Sequence, residues 1–523
     1  MRGWGEGTIM SGHVFVVRGD VQRLRCDARL VPAYEANPPD VSWFHPDESE
    51  LHATPADESW MGGEERVRSL GSSSSKLGPA VWVAKVGFDR FIQLSRAMEG
   101  VSEFLTRAAT ALKGASRVSG RSQPLIALHV VATGKKNAAL RKDDAIVALL
   151  NCVDACVAQH DVDVVIVASE EETYAALQVT RSMQRSGVSP TLDLPLHALA
   201  RELAVKAREG NLSVLVGAGL SVNAGLPNWR VLLSNVAQAV NLRAPESDED
   251  LVRFASWVEQ SMGPRAFRTA IADQCRATRY ALGHALLGSM PIREFVTLNY
   301  DALLEEAAKA AKAPLVVIPH GRISAGQRWL LKLHGSVDRC DDIVITERDY
   351  ERFDDWRAAF RGVVEAQLIT RHMLFVGFGM ADPNVARVLE SVARAARRDE
   401  GKQGTSVGTL LHFDAIAEQE KQKYPLSFVH VAGQENDIAP RARQIEILLD
   451  DVARLAEDGT HHLLDRRFDG LHPAEVAVRE QVAGFLTNLH ATHPDSRLRH
   501  EIMQRLRPLM GGDSKLIPMF DSK

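Results

Sequence analysis

Gly217-Ala-Gly-Leu-Ser-Val-Asn-Ala-Gly-Leu-Pro-Asn-Trp-Arg230 follows directly on the apolar run Asn211-Leu-Ser-Val-Leu-Val216. The run is short, apolar and rich in β-formers, so it reads as a buried strand, and it stops abruptly at Gly217-Ala-Gly219. Strand, glycine turn and helix start follow in order. Glycine at 217 and 219 would let backbone N–H groups approach a pyrophosphate, and a helix start offers further unpaired donors. A lone Gly-x-Gly carries little weight, because many tight turns need glycine for backbone geometry alone. Here the pattern continues through Ser221, Gly225, Pro227, Trp229 and Arg230, which makes it longer and rarer.

Working outward, three more apolar runs end in polar residues. Phe295-Val-Thr-Leu-Asn-Tyr-Asp301 delivers Asn299 and Asp301, Leu331-Lys-Leu-His-Gly-Ser336 delivers His334, and Leu374-Phe-Val-Gly-Phe-Gly-Met-Ala-Asp-Pro-Asn384 delivers Gly377, Gly379 and Asp382. If each run is a strand of one parallel sheet, all four loops lie at its carboxyl edge, where open α/β sheets bind ligands. A second His-Gly pair, His320-Gly321, follows the run Leu315 to Ile318 and competes with His334 on position alone. Asp301 has a plain structural alternative, capping a following helix over 302–311.

The four motifs together resemble a sirtuin-type (SIR2-like) domain, whose loop reads Gly-Ala-Gly-x-Ser-x-x-x-Gly-x-Pro, an acidic or polar residue, an aromatic and often Arg. Asn228 and Trp229 replace the usual Asp-Phe, and Thr297-Leu-Asn-Tyr-Asp301 is similar to the Thr-x-Asn-Tyr-Asp of the divergent branch. In the last motif Gly379 stands where the family has serine. The resemblance covers about half of the chain. It implies a Rossmann-like α/β fold with NAD as substrate, held by Gly217, Ala218, Gly219, Ser221, Pro227, Trp229, Arg230, Gly377, Gly379 and Asp382. It also implies the catalytic set: Asn299 positions a water, His334 acts as general base, and Asp301 shapes the nicotinamide pocket.

Deacetylases of that family carry a zinc ribbon of two Cys-x-x-Cys pairs after the catalytic histidine, since four thiolates make a closed tetrahedral site. Only Cys340 follows His334, so no ribbon can be built and no zinc is expected. Cys152 and Cys156 read as packing residues on a helix. The stretch Val337-Asp-Arg-Cys-Asp-Asp-Ile-Val-Ile-Thr-Glu-Arg-Asp-Tyr350 resembles instead the SIR2-like branch of bacterial anti-phage proteins. That branch implies NAD hydrolysis to nicotinamide and ADP-ribose, depleting the infected cell once triggered. The alternatives are a non-catalytic NAD or ADP-ribose sensor, and a zinc-free deacylase or ADP-ribosyltransferase.

The flanking sequence divides into a first region, 1–190, a catalytic region, 191–455, and a helical region, 456–523. In the first, His13–Val17, an apolar stretch at Leu30-Val31, 124–131 and 162–167 read as strands and 142–160 and 174–183 as helices, an alternation that implies a three-layer α/β unit. It resembles a macro domain, on Arg18-Gly-Asp-Val21, Ala132-Thr-Gly-Lys135 and the closing Val165-Ile-Val-Ala-Ser-Glu-Glu-Glu-Thr-Tyr174. The resemblance implies an ADP-ribose or nucleotide ligand, with Asp20 at the adenine and Gly134 in the phosphate loop. Pro32-Ala-Tyr-Glu35 replaces the family's Asn-rich stretch, and a scaffold used for assembly is the alternative reading. Segment 71–76 is a low-complexity loop. In the catalytic region 196–209 reads as the helix leading into the sheet, and 248–287 as a polar helical subdomain over it. Helices at 473–489 and 495–509 would serve a homo-oligomer or dock a partner: an ATPase, an Argonaute or a phage protein as trigger.

Gross composition agrees with a multidomain globular chain. At 523 residues it exceeds one core, and 45% hydrophobic with 25% charged residues and a net charge of −5 compel neither a nucleic-acid nor a membrane partner. Five scattered cysteines fit a reducing compartment, and no run approaches the ~20 apolar residues of a membrane span. The expected location is the cytoplasm.

Overall fold

A computed structural model of the chain describes residues 12–506, apart from 35–38, 53–59, 61–62, 73–77, 88–93, 132–140, 185–190, 247–249, 380–381, 397–405, 414–415, 433–437, 458, 460, 465–467, 469–472 and 494–495. The loop Ala132–Lys135 with Gly134, most of segment 71–76, Glu35, and the end of the final predicted helix therefore lie outside the described residues.

The first six strands are β1 (Val14–Arg18), β2 (Ala28–Tyr34), β3 (Val67–Ser72), β4 (Ala80–Gly87), β5 (Leu125–His129) and β6 (Asp163–Ala168). They form one sheet in the order β1-β6-β5-β2-β4-β3, parallel except for the β3–β4 pair. Because side chains alternate across a strand, the sheet feeds two cores. Val14, Val16, Ile126, Leu128, Val164 and Ile166 pack with the helices Leu94–Leu112 and Lys142–Gln159. Phe15, Val17, Leu125, Ala127, Val165 and Val167 point the other way, into a core that this sheet shares with a second one.

The second sheet holds β7 (Leu212–Val216), β8 (Glu294–Thr297), β9 (Val316–Ile318), β10 (Trp329–Lys332), β11 (His372–Val376), β12 (Gly408–His412) and β13 (Leu426–His430). Its order is β13-β12-β11-β7-β8-β10-β9 and every pair is parallel. Residues such as Val214, Leu215, Val296 and Leu331 are wholly buried, as both-face burial of a parallel sheet requires. Mixed α/β architecture with parallel sheets is thus the observed fold class.

A helical layer lies between the two sheets. Helices Leu194–Arg208, Leu282–Ser289 and Ile438–Ala456 supply Leu203, Leu286, Leu448 and Val452 to the same core as Phe15 and Val214. Helix Ile438–Ala456 also carries buried charge. Asp450 accepts from Arg181 at 2.6 Å and lies 2.9 Å from His13 Nε2, while Arg443 and Arg121 both bond Asp163 at the start of β6. Burial alone would raise the Asp450 carboxyl, but Arg181 and His13 hold it below the usual carboxylate range.

The helical subdomain differs from the expected 248–287. Helices Trp229–Ala239, Leu251–Met262 and Pro264–Gln274 pack on one another around Leu233, Phe254, Val258, Phe267 and Ile271. Leu282–Ser289 does not join them; all eight of its residues are buried in the layer between the sheets. Its sequence is too apolar for a surface subdomain, which is the physical reason. Farther on, Pro473–Thr492 and Arg497–Leu506 pair around Leu486. No described helix is long and apolar enough to cross a membrane.

Candidate functional site

Strands β11, β7, β8 and β10 are neighbours, so the loops that follow them meet at one edge. The chain leaves β7 toward β8 on one side while β11 returns on the other, which makes the β7–β11 boundary a topological switch point. A cavity of about 300 Å³ opens there. Its walls include Gly217, Ala218, Gly219, Ser221, Pro227 and Trp229 from the first loop, Asn299 and Asp301 from the second, His334 from the third, and Gly377, Gly379 and Asp382 from the fourth. Every residue that the SIR2-like resemblance assigned to the NAD site except Arg230 is on this wall. Arg230 turns away and bonds the Glu246 carbonyl.

Glycine is required at the switch point by close approach. A Cβ on Gly217 would sit 2.4 Å from the Gly377 carbonyl oxygen, and one on Gly377, where φ is +63°, would sit 2.4 Å from the Leu220 nitrogen. The N–H groups of Gly217 and Gly219 donate to the carbonyls of Val376 and Gly377, each at 2.9 Å. These two donors are therefore not available to a pyrophosphate. They stitch the β7 turn to the β11 turn instead, and the loop offers the cavity its surface. At Gly379 a Cβ would meet nothing within 4 Å, so the serine found there in the family would fit.

Behind the wall, Ser221 is a hub. Its hydroxyl donates to Asp301 Oδ2 at 2.9 Å and accepts from Asn299 Nδ2 at 3.1 Å. Asn299 Nδ2 also donates to the Gly217 carbonyl at 3.1 Å, so the amide is held with Oδ1 as its remaining acceptor. His284 Nε2 lies 3.3 Å from the same hydroxyl. Since the single Ser221 proton goes to Asp301, Nε2 is the His284 nitrogen that donates to this hydroxyl. Burial, opposed by nearby Asp301, pushes His284 down to about 4, which keeps this neutral form. Asp301 lines the cavity, and its Oδ1 accepts from the N–H of Leu303, the first residue of helix Leu303–Ala310, at 3.0 Å. Below it, buried Lys332 donates to the Tyr300 carbonyl at 3.2 Å and to Glu305 at 2.8 Å.

His334 is buried on the cavity's far side, 3.6 Å from Asp382 Oδ2 and 3.4 Å from Asn384 Nδ2. Tyr350 stands edge-on to the imidazole with ring centroids 5.6 Å apart, and its hydroxyl donates to Asp382 at 3.0 Å. Desolvation lowers the His334 pKa; Asp382 opposes that and Arg357 adds to it. The imidazole is therefore neutral at neutral pH, with a carboxylate in place to stabilise the imidazolium once a proton arrives. Gly335 must be glycine because its φ is +89° and a Cβ would lie 2.3 Å from the Asp342 carbonyl oxygen. The competing His320 is partly exposed, pairs with Asp342 at 3.2 Å, and is absent from the cavity wall.

His284, Tyr350, Tyr300 and Cys275 are the residues that motif reading missed. His284 had a signal, a lone histidine inside the wholly apolar Leu282-Gly-His-Ala-Leu-Leu-Gly-Ser289. Cys275 had none; burial pushes its thiol up to about 12. Among the described residues no His, Cys, Asp and Glu group could hold a metal ion.

In the first sheet, Asp20 follows β1. Its Oδ1 accepts from the Gln22 N–H at 2.9 Å, and its carbonyl accepts from the Tyr280 hydroxyl at 3.0 Å.

Residues 293–428 match the family model of the SIR2-like domain. The NAD(+) hydrolase ThsA of Enterococcus faecium is 29% identical over 211 residues, covering 39% of this chain and 44% of its own. The NAD(+) hydrolase ThsA of Bacillus cereus is 26% identical over 275 residues, covering 51% of this chain and 53% of its own. Defense-associated sirtuin 2 of Bacillus subtilis is 24% identical over 204 residues, 37% of this chain and 20% of its own. The chain spans about half the length of the two hydrolases. With four loops converging on one sheet edge and a family match running from the strand of Asn299 to the last strand of that sheet, the chain contains a SIR2-like domain.

Proposed function

We propose that this chain is an NAD+ hydrolase that releases nicotinamide and ADP-ribose, and that it acts as an effector of anti-phage defence by depleting NAD. The observation that carries the reading is the convergence of Asn299, Asp301 and His334 on one cavity whose other wall is the glycine loop. Names of the relatives, hydrolase and defence-associated sirtuin, support it.

Cleaving the nicotinamide bond leaves an electron-poor, oxocarbenium-like ribose and a neutral leaving group. Strong protonation of nicotinamide is not needed; orientation, charge screening and a nucleophile are. Asn299, with Nδ2 fixed by Gly217 and Ser221, presents Oδ1 to a water near the anomeric carbon. As that water's oxygen bonds the anomeric carbon, the glycosidic electron pair leaves with nicotinamide and the water's proton passes to His334. Asp382 then faces an imidazolium. Asp301 shapes the nicotinamide end, and Trp229 and Pro227 cover the substrate.

The same reading divides the chain into units at 1–190, 191–455 and 456–523, the first taking ADP-ribose or a nucleotide and the last supporting a homo-oligomer. Activity awaits a trigger in the cytoplasm, a partner ATPase, an Argonaute or a phage protein. Nicotinamide release by the purified, activated chain tests the central claim. N299A and H334A should each abolish it while folding is retained, as read by circular dichroism; turnover at the parent rate in either would overturn the mechanism.

A further inference from the structure

The loop that walls the cavity is held from behind by a different part of the chain. Ser221, Leu226 and Pro227 line the cavity, while Ala224 and Gly225 of the turn between them meet Arg25 of the first sheet's unit. Arg25, which precedes β2 in that unit, places its guanidinium against the turn. Nη1 donates to the Ala224 carbonyl at 2.8 Å, and Nε donates to the Val118 carbonyl at 2.8 Å, so one side chain bridges its own unit and the loop. Gly225 has φ +85°, and the space a Cβ would need is filled by the Arg25 guanidinium at 2.5–2.9 Å. A second tie runs in parallel. Asn223 Nδ2 donates to Glu446 Oε1 at 3.1 Å, and Glu446 is ion-paired with Arg121 of the first unit.

These ties lead to the site by a short route. The N–H groups of Ala224 and Leu226 both donate to the Ser221 carbonyl, at 3.0 and 3.2 Å, so fixing Ala224 fixes Ser221. Ser221 in turn holds Asn299 and Asp301. A guanidinium present only for packing would not need two carbonyl acceptors on separate segments with a glycine opposite its face.

We propose that Arg25 is a positioning residue for the cavity loop, so that the first α/β unit is a working part of the NAD site. The turnover part of this claim rests on the NAD-hydrolase reading; the loop-ordering part does not. With Arg25 removed, the turn loosens, Ser221 releases the Asn299 amide, and both substrate binding and water placement suffer.

The test uses the full-length chain with R25M, R25K and N223A, and reads amide hydrogen exchange across 218–227 alongside kcat and KM for nicotinamide release. R25M should speed exchange in 221–226 selectively, leaving β7 and β8 unchanged, and lower kcat/KM by about ten- to a hundredfold, the worth of a charge-assisted hydrogen bond. N223A should do the same to a smaller degree, and R25K should fall between R25M and the parent. Parent-like exchange in 221–226 for R25M, or faster exchange spread evenly over the whole chain, would overturn the proposal. If R25M does not fold, parent-like exchange in both R25K and N223A would do so. Selective loosening in a chain whose parent, once activated, releases no nicotinamide would uphold the positioning role and sink the hydrolase reading instead.

Discussion

At the scale of single residues, the site depends on a histidine kept neutral by burial. The His334 pKa lies below its ordinary value because desolvation disfavours the imidazolium, with Arg357 adding to that and Asp382 opposing it. The general base proposed for His334 must be unprotonated, so turnover should be flat from neutral pH down past ~6.5, the unperturbed histidine value, and fall only at more acid pH. The pH profile of kcat/KM checks this; an acid limb centred at or above the unperturbed value would contradict it. Asn299, Asp301 and His334 were all legible in the sequence because each sits in a motif that ends an apolar run. His284 was not, because it acts on Ser221 from a helix that carries no motif, and Tyr350 was not named because the Val337–Tyr350 stretch points to a branch of the family and not to the side chain that bonds Asp382.

At the scale of elements, the β7 and β11 turns fit together only because their glycines lack side chains. Gly217→Ala would force a Cβ to 2.4 Å from the Gly377 carbonyl oxygen, so the two strand ends must separate. We expect a loss of about 1–3 kcal/mol of stability, typical of overpacking, together with loss of turnover. Gly379→Ser is the control: with no atom near its Cβ it should stay within ~0.5 kcal/mol of the parent. Denaturant midpoints of the two variants decide, and equal midpoints would refute this account of the loop. The sequence announced Gly217 and Gly219 as special. It suggested ligand contact as the reason, whereas their N–H groups are taken by β11, a strand more than 150 residues later in the chain.

At the scale of the whole molecule, two sheets share one helical layer, and buried ion pairs fix their relation. Asp163 accepts from Arg121 at 2.6 Å, from Arg443 at 2.7 and 2.8 Å, and from the His13 N–H at 2.9 Å. Asp163→Ala removes the counter-charge shared by two buried guanidinium groups, and should cost about 3–5 kcal/mol. Equilibrium unfolding of the full chain measures it. A cost below ~1 kcal/mol would mean that water or another carboxylate compensates, and that this network does not fix the two units.

Local pattern alone determined the α/β class, the strands that carry the site and the four loops that follow them, since strand burial is written in neighbouring residues; helices such as Leu94–Leu112 and Ile438–Ala456 were not read from it. It also leaves only one cysteine after His334, too few for two Cys-x-x-Cys pairs. Tertiary structure decided the rest. It put His334 and not His320 on the cavity wall, sent Arg230 away from the cavity, moved Leu282–Ser289 from a surface subdomain into the layer between the sheets, and brought Arg25 against Gly225. The last two depend on partners about 200 residues away or more, and no local periodicity records which buried faces will meet.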